Sequence, residues 1–119
     1  MAWSFTPDVP IYLQAARVLR LRILKGQYPP GGAVPSVREL AQEAAVNPNT
    51  MQKALSLLEA QGLLTTQRTA GRRVTEEGER LTLLRRSMAE EILGECRRQL
   101  LELGYTPEEI VQLMKEESK

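Results

Sequence analysis

The residues in this sequence that could do chemistry are charged and amide side chains, because the commonest catalytic and zinc-binding types are nearly absent. There is no histidine and Cys96 is the only cysteine. One chain therefore cannot form a histidine-based acid–base site, a Cys–His pair, a thiolate or imidazole zinc site or an internal disulfide. A glycine-rich phosphate loop between a strand and a helix is also missing. We expect a protein that is not an enzyme and that binds no metal or other cofactor.

Basic side chains are concentrated before residue 75. That part holds nine Lys or Arg and four Asp or Glu, a net charge of +5, whereas the rest holds seven and eleven, a net charge of −4. Arg68, Arg72 and Arg73 fall within six residues. This asymmetry indicates a first part that faces a polyanion and a second part that faces another partner, which we expect to be a second copy of the chain.

The size and composition predict one small, mostly helical protein. The chain has 119 residues, of which 42% are hydrophobic, 26% charged and 4% aromatic, and this mixture favours helices over a β-sandwich. No apolar run approaches the roughly 18 residues of a membrane span. The first residues do not resemble a signal peptide, and an unpaired cysteine fits a reducing compartment. We therefore interpret the protein as cytoplasmic.

The first helix is predicted over residues 10–25, with Asp8 as its cap and Pro10 in its first turn. Its expected core stripe recurs every fourth residue and consists of Ile11, Ala15, Leu19 and Ile23. Trp3 and Phe5 are interpreted as anchors that tie the N-terminus to this core.

Two short helices and a hairpin are predicted next. Ser36 and Glu39 form a capping box that starts a second helix, and this helix ends by Ala45. Asn47 caps a third helix that begins at Pro48 and ends near Gly62. Its apolar face contains Met51, Ala54, Leu55 and Leu58, and its outward positions are Asn49, Gln52, Lys53 and Ser56. Strands over 63–67 and 72–74, joined by a turn over 68–71, predict a small basic hairpin.

A long helix is predicted over 76–103, and a second one follows Thr106, which forms a capping box with Glu109. The long helix has an apolar stripe on which Cys96 is expected to be a small buried hydrophobe. The stripe could pack on the first helix, form a dimer interface, or do both. Its members are Leu81, Leu84, Met88, Ile92, Cys96, Leu100 and Leu103.

Two short helices joined by a tight turn form a helix-turn-helix, which lays its second helix in the major groove of DNA, and the hairpin adds a wing. In this arrangement Gln52 and Lys53 reach base edges or phosphates, and free amides at the start of the third helix favour phosphate. The wing arginines would lie at the phosphates or enter the minor groove.

Over residues 10–74 the sequence resembles the head of GntR-type bacterial transcription regulators, and its short helical tail is similar to the YtrA-like branch. The resemblance rests on residues 10–12, 30–31, 35–41, 46–50, 55–59 and 62–63. It implies a homodimer that binds an inverted-repeat operator and represses transcription.

The resemblance also implies DNA contacts by Arg38 and by residues 47–50 and 52. In the family, glycine is usual where Thr69 stands and an aromatic residue where Arg73 stands. A threonine adds bulk at the wing tip, so Arg72 and Arg73 could hold the DNA backbone instead of inserting the tip into the minor groove.

We therefore predict a winged helix-turn-helix domain over 1–75 and a two-helix dimerisation tail over 76–119. The alternative is a winged-helix module that docks another protein, and the sequence leaves open whether a small-molecule effector binds. The predicted DNA-binding residues are Ser36, Val37, Arg38, Asn47, Pro48, Asn49, Thr50, Gln52, Lys53, Arg68, Thr69, Arg72 and Arg73.

Overall fold

The structure of the protein is a computed structural model that describes residues 3–69 and 71–118. The described residues form two compact units, the first ending at Leu81 and the second beginning at Thr82. In chain order the elements are α1 (Ile11–Leu24), α2 (Val37–Ala44), α3 (Pro48–Ala60), β1 (Leu64–Gln67), β2 (Gly71–Val74), α4 (Gly78–Glu102) and α5 (Pro107–Glu117). The prediction of a mostly helical chain, with three helices and a hairpin followed by two more helices, is confirmed.

Helix α1 begins differently from the prediction. Its N-cap is Pro10, with no side-chain cap, so Asp8 does not cap it. Instead the Gln14 side chain holds the preceding segment, since its amide nitrogen donates to the carbonyls of Thr6 and Val9 at 2.8 and 2.7 Å. The expected core position of Ile11 is also wrong, because this side chain is exposed. An α-helix turns about 100° per residue, so each step of four residues exceeds a full turn by about 40°. After three such steps, Ile11 lies about 120° around the helix from Ile23.

The turn between α2 and α3 matches the prediction. The Ser36–Glu39 capping box is present, with the Glu39 amide 3.1 Å from the Ser36 hydroxyl oxygen. Ala45 ends α2 in the left-handed conformation, at φ 57°. Asn47 then caps α3 through its side chain, and Pro48 occupies the first turn. These contacts fix where α3 begins relative to α2.

The core of the first unit joins three helices to the base of the hairpin. Helix α3 packs on both α1 and α2, and it also contacts β1. The prediction that Ala15, Leu19 and Ile23 face this core is confirmed. The largest fully buried side chains are Leu19, Leu40, Met51, Leu55, Leu58, Leu63 and Val74.

The hairpin is a two-stranded antiparallel sheet with Leu64 opposite Val74 and Thr66 opposite Arg72. Its predicted turn includes Ala70, which lies outside the described residues. The proline- and glycine-rich loop before α2 also pairs with β2, since the Val34 amide donates to the Arg72 carbonyl at 3.0 Å. We call residues 64–69 and 71–74 the wing.

The second unit contains α5 and most of α4. Thr106 and Glu109 form the predicted capping box at the start of α5, and Gly104, at φ 99°, lies in the turn after α4. Ile92 is 64% and Leu103 75% exposed in the single chain, and Cys96 is exposed as well. The expectation of a buried Cys96 is therefore wrong for one chain alone. Leu81 is buried in the first unit, whereas Leu84, Met88 and Leu100 are half-buried.

None of the helices in the described ranges is both long and apolar enough to cross a membrane.

Candidate nucleic-acid interface

Over residues 49–56, the outward face of α3 carries polar side chains without a carboxylate. The four predicted outward residues are all exposed, namely Asn49, Gln52, Lys53 and Ser56. The Gln52 amide nitrogen lies 3.4 Å from the Ser56 hydroxyl oxygen. The opposite face is buried through Met51, Ala54, Leu55 and Leu58. The packing of α3 thus presents amide, hydroxyl and ammonium groups, which are the donors and acceptors that read base edges and phosphates.

Lys53 is held by Tyr12, a residue for which no sequence motif predicts a role in binding. Its ammonium nitrogen lies 4.1 Å from the centroid of the Tyr12 ring in α1. This distance is that of a cation–π contact. No local spacing connects the two residues, because they meet only when α1 packs on α3.

The start of α2 presents one free charged side chain. Arg38 is exposed and forms no ion pair or hydrogen bond with a described residue. Its two predicted neighbours are engaged differently, since the Ser36 hydroxyl is committed to the capping box and Val37 is half-buried. Of these three, Arg38 has the side chain that is available to a phosphate.

The start of α3 differs from the expectation of free backbone amides. The Asn49 amide donates to the Asn47 side-chain oxygen at 2.7 Å. The Thr50 and Met51 amides both donate to the Asn47 carbonyl, at 3.0 and 3.1 Å. Pro48 has no amide hydrogen. What this helix end offers a ligand is therefore its dipole and the exposed side chains of residues 47–49.

Glu59, near the end of α3, connects the helix to the wing. Its carboxylate accepts hydrogen bonds from the Thr66 hydroxyl, at 2.7 Å, and from the guanidinium of Arg72, with which it forms an ion pair. Partial burial acts to raise the pKa of Glu59, but the bonds from Thr66 and Arg72 and the charge of Arg72 outweigh it and hold the pKa below its usual value. The Arg72 side chain is only 16% exposed.

The other two wing arginines differ from each other. The Arg73 guanidinium donates to the Gly31 carbonyl at 3.1 Å. Arg68 is exposed and forms no ion pair or hydrogen bond with a described residue. At the tip, the positive φ of 70° belongs to Gly71, so Thr69 does not need the conformation that favours glycine. The cluster of three arginines therefore consists of one free side chain and two that hold the wing in place.

The N-terminal segment is tied to α1 and α2 through Trp3. Its indole nitrogen donates to the Glu43 carboxylate at 2.6 Å, and the Arg22 guanidinium carbon lies 5.0 Å from its ring centroid. Arg22 also forms an ion pair with Glu43, and the hydrogen bonds from Arg22 and then Trp3 lower the pKa of Glu43. The Phe5 ring is 6.1 Å from that of Trp3. Trp3 therefore anchors the segment, but through charged partners in α1 and α2 and not through the apolar core contacts that were expected.

A cleft of about 360 Å³ lies on the wing face that points away from Glu59, and Thr65, Gln67 and Arg73 line it together with Glu76. Within residues 3–69 and 71–118, no group of His, Cys, Asp and Glu side chains is arranged to hold a metal ion. The wing thus has two polar faces, one that meets α3 and one that borders the cleft.

The sequence model of the family described as "Bacterial regulatory proteins, gntR family" matches residues 11–74, which extend from the start of α1 to the end of the wing. This chain belongs to the GntR family. The family resemblance that the sequence motifs predicted is therefore confirmed.

Two relatives of this GntR chain come from Bacillus subtilis (strain 168). The HTH-type transcriptional regulator YhcF is 37% identical over 112 residues, which cover 94% of this chain and 93% of YhcF. The HTH-type transcriptional repressor YtrA is 42% identical over 69 residues, which cover 58% of this chain and 53% of YtrA. Similarity to YhcF thus extends through the tail of this chain.

Solved structures have the same winged fold. A GntR family transcriptional regulator from Listeria monocytogenes matches with a TM-score of 0.89 and 32% identity, over 94% of this chain and 98% of that one. The DNA-binding domain of AraR, solved in complex with operator ORX1, matches with a TM-score of 0.58 and 28% identity, over 63% of this chain and 95% of that one. The protein is a transcription regulator of the GntR family, and the members of this family are regulators rather than enzymes.

Proposed function

We propose that this GntR regulator binds an inverted-repeat DNA operator as a homodimer and represses transcription without a catalytic step. The observation that carries the proposal is the outward face of α3 over residues 49–56, which has amide and ammonium groups and no carboxylate. The AraR domain, which is similar over the winged part, was solved on its operators, and YtrA is named a repressor. A regulator of this kind acts in the cytoplasm, where the DNA is.

The proposed DNA contacts follow from which side chains are free. Gln52 and Lys53 reach into the major groove with the exposed residues at the start of α3, and Arg38 and Arg68 contact phosphates on either side. Arg38 and Arg68 have no other partner among the described residues. Arg72 and Arg73 add positive charge near the duplex, while their guanidinium groups hold the wing.

We further propose that residues 1–75 bind DNA and that residues 76–119 form the dimer. The second unit leaves large apolar side chains open to solvent in a single chain, among them Leu93, Ile92 and Leu103. Exposed apolar surface of this kind is covered in stable proteins by a partner. In a two-fold dimer, two copies of α3 about 34 Å apart read two half-sites, and the operator has the same symmetry.

Fluorescence anisotropy against the DNA upstream of the protein's own gene, beside a scrambled duplex, tests this function at several salt concentrations. We expect binding roughly 10³-fold tighter to the upstream DNA than to the scramble. Affinity should fall by about 0.9 log units per log unit of salt for each phosphate contact. Equal and weak binding to both duplexes, with a flat salt dependence, would contradict the proposal and favour a winged module that docks another protein.

A further inference from the structure

Lys53 is a cation of the proposed interface that the fold holds against an aromatic ring, which does not neutralise its charge. Two partly buried cations, Arg22 and Arg72, are held by the carboxylates of Glu43 and Glu59, whereas Lys53 is exposed. Lys53 forms no ion pair with a described carboxylate, and the group beside its ammonium is the neutral ring of Tyr12, 4.1 Å away. An aromatic face attracts a cation through its quadrupole and leaves the full positive charge in place.

The position of Lys53 on α3 indicates which part of DNA it would meet. At 100° per residue, Asn49 and Ser56 lie between Gln52 and Lys53 around the helix, so Lys53 is at one edge of the outward face. This edge is the one nearest α1, because Tyr12 belongs to α1. The edges of a helix that lies in the major groove face the phosphate walls, whereas its centre faces the bases. An ammonium is a compact point charge that suits a single phosphate oxygen.

We propose that Tyr12 is a positioning residue for DNA binding: its ring fixes the Lys53 ammonium at the edge of α3, ready to contact one phosphate. This inference rests on the proposed function. A free lysine loses rotamer freedom when it binds, and this loss weakens the contact. A lysine that is already held by the ring loses less. Tyr12 thus increases affinity without a DNA contact of its own.

A double-mutant cycle on the full chain tests the proposal, with a fluorescein-labelled duplex of random sequence as the probe. The variants are Tyr12→Leu, Tyr12→Phe, Lys53→Met and the double variant Tyr12→Leu/Lys53→Met. We expect Tyr12→Leu to weaken binding about two- to fivefold, which corresponds to a cation–π contact at an exposed site. Tyr12→Phe keeps the ring and should bind as the wild type does. In the Lys53→Met background, Tyr12→Leu should have no further effect.

Two readouts separate positioning from a general structural defect. Tyr12→Leu should keep the wild-type salt dependence because the charge of Lys53 remains, whereas Lys53→Met should lower the slope by about 0.9. In the free protein, NMR should find the side-chain methylene protons next to the Lys53 ammonium shifted upfield by the ring current. That shift should be present in the wild type and in Tyr12→Phe, and absent in Tyr12→Leu.

Three results would overturn the positioning role. The first is wild-type DNA affinity in Tyr12→Leu. The second is a loss of affinity in Tyr12→Phe as large as in Tyr12→Leu, which would mean that the hydroxyl contacts DNA itself. The third is an equal loss of affinity on Tyr12→Leu in the wild-type and the Lys53→Met backgrounds. If the wild type bound neither this duplex nor the upstream DNA, the proposed function would fail instead, even with the ring-current shift present.

Discussion

The guanidinium group of Arg72 in the wing forms an ion pair with the carboxylate of Glu59 in α3. The Thr66 hydroxyl donates to the same carboxylate oxygen at 2.7 Å. One acidic residue at the end of the proposed recognition helix therefore holds both strands of the wing. Glu59 thus links the wing to α3, and we expect a change at Glu59 to affect the placement of both on DNA.

Replacing Glu59 with glutamine should lower the free energy of unfolding by about 1 kcal/mol at neutral pH, because the charged hydrogen bonds are lost. The folded protein lowers the pKa of Glu59, so the stability it adds is present above its unfolded pKa, near 4.3. That stability is lost as the pH falls through the lower folded pKa. Urea unfolding of both proteins across acid and neutral pH measures this difference.

The matched control is Glu91→Gln, since the Glu91 side chain lies in the middle of α4, is exposed and forms no ion pair or hydrogen bond with a described residue. This variant should unfold like the wild type at every pH. A Glu59→Gln deficit that stays constant down to strongly acidic pH would show that the charge of Glu59 does not stabilise the fold.

The free and the paired wing arginine should respond differently to truncation. Arg68→Ala should lower the salt slope of DNA binding by about 0.9 while stability changes by less than about 0.5 kcal/mol. Arg72→Ala should instead lower stability by about 1 kcal/mol or more, since it leaves the Glu59 carboxylate unpaired. Anisotropy and urea unfolding of both variants measure the two effects. If Arg68→Ala lost stability and kept its salt slope, the assignment of the two roles would be wrong.

Arg38→Ala should lower DNA affinity by about 1 to 3 kcal/mol through loss of a phosphate or bidentate contact. Arg85→Ala is its control, because it removes the same charge from an exposed position in the second unit. Anisotropy with the upstream duplex compares the two variants. Equal, small losses in both would assign Arg38 to general electrostatics alone.

Met88→Asp and Ile92→Asp should dissociate the proposed dimer, because each inserts a charge into an apolar interface. Met88 is half-buried and Ile92 is 64% exposed in the single chain. Sedimentation velocity should find monomers for both variants and a dimer for the wild type and for Ser87→Asp, whose exposed position is next to Met88. Dimers in both stripe variants would assign the stripe to contacts within one chain.

Signals within a few residues of each other predicted the elements well. The Ser36–Glu39 and Thr106–Glu109 capping boxes and the Asn47 cap all occur where the sequence indicated. Asp8 failed as a cap because Gln14, several residues further along, holds the N-terminal segment instead. The contacts of Gln14 with Thr6 and Val9 span eight and five residues, which is longer than the spacing of a capping motif.

The site was predictable in its residue types and less so in its connections. The exposed positions of α3 followed from helical periodicity alone. The pairing of Arg72 with Glu59 and the contact of Lys53 with Tyr12 depend on how elements pack, and no spacing in the sequence encodes them. Three clustered arginines therefore looked equivalent, although only Arg68 among them is free.

Selection of duplexes from a random-sequence library by the purified protein, followed by sequencing, tests whether α3 reads DNA sequence. We expect one enriched motif with two inverted half-sites about one helical turn apart, because two copies of α3 read it. The same selection with Gln52→Ala should relax the preference at one position in each half-site. Enrichment of no motif at low salt, or of a motif that Gln52→Ala leaves unchanged, would contradict the claim that α3 reads DNA sequence.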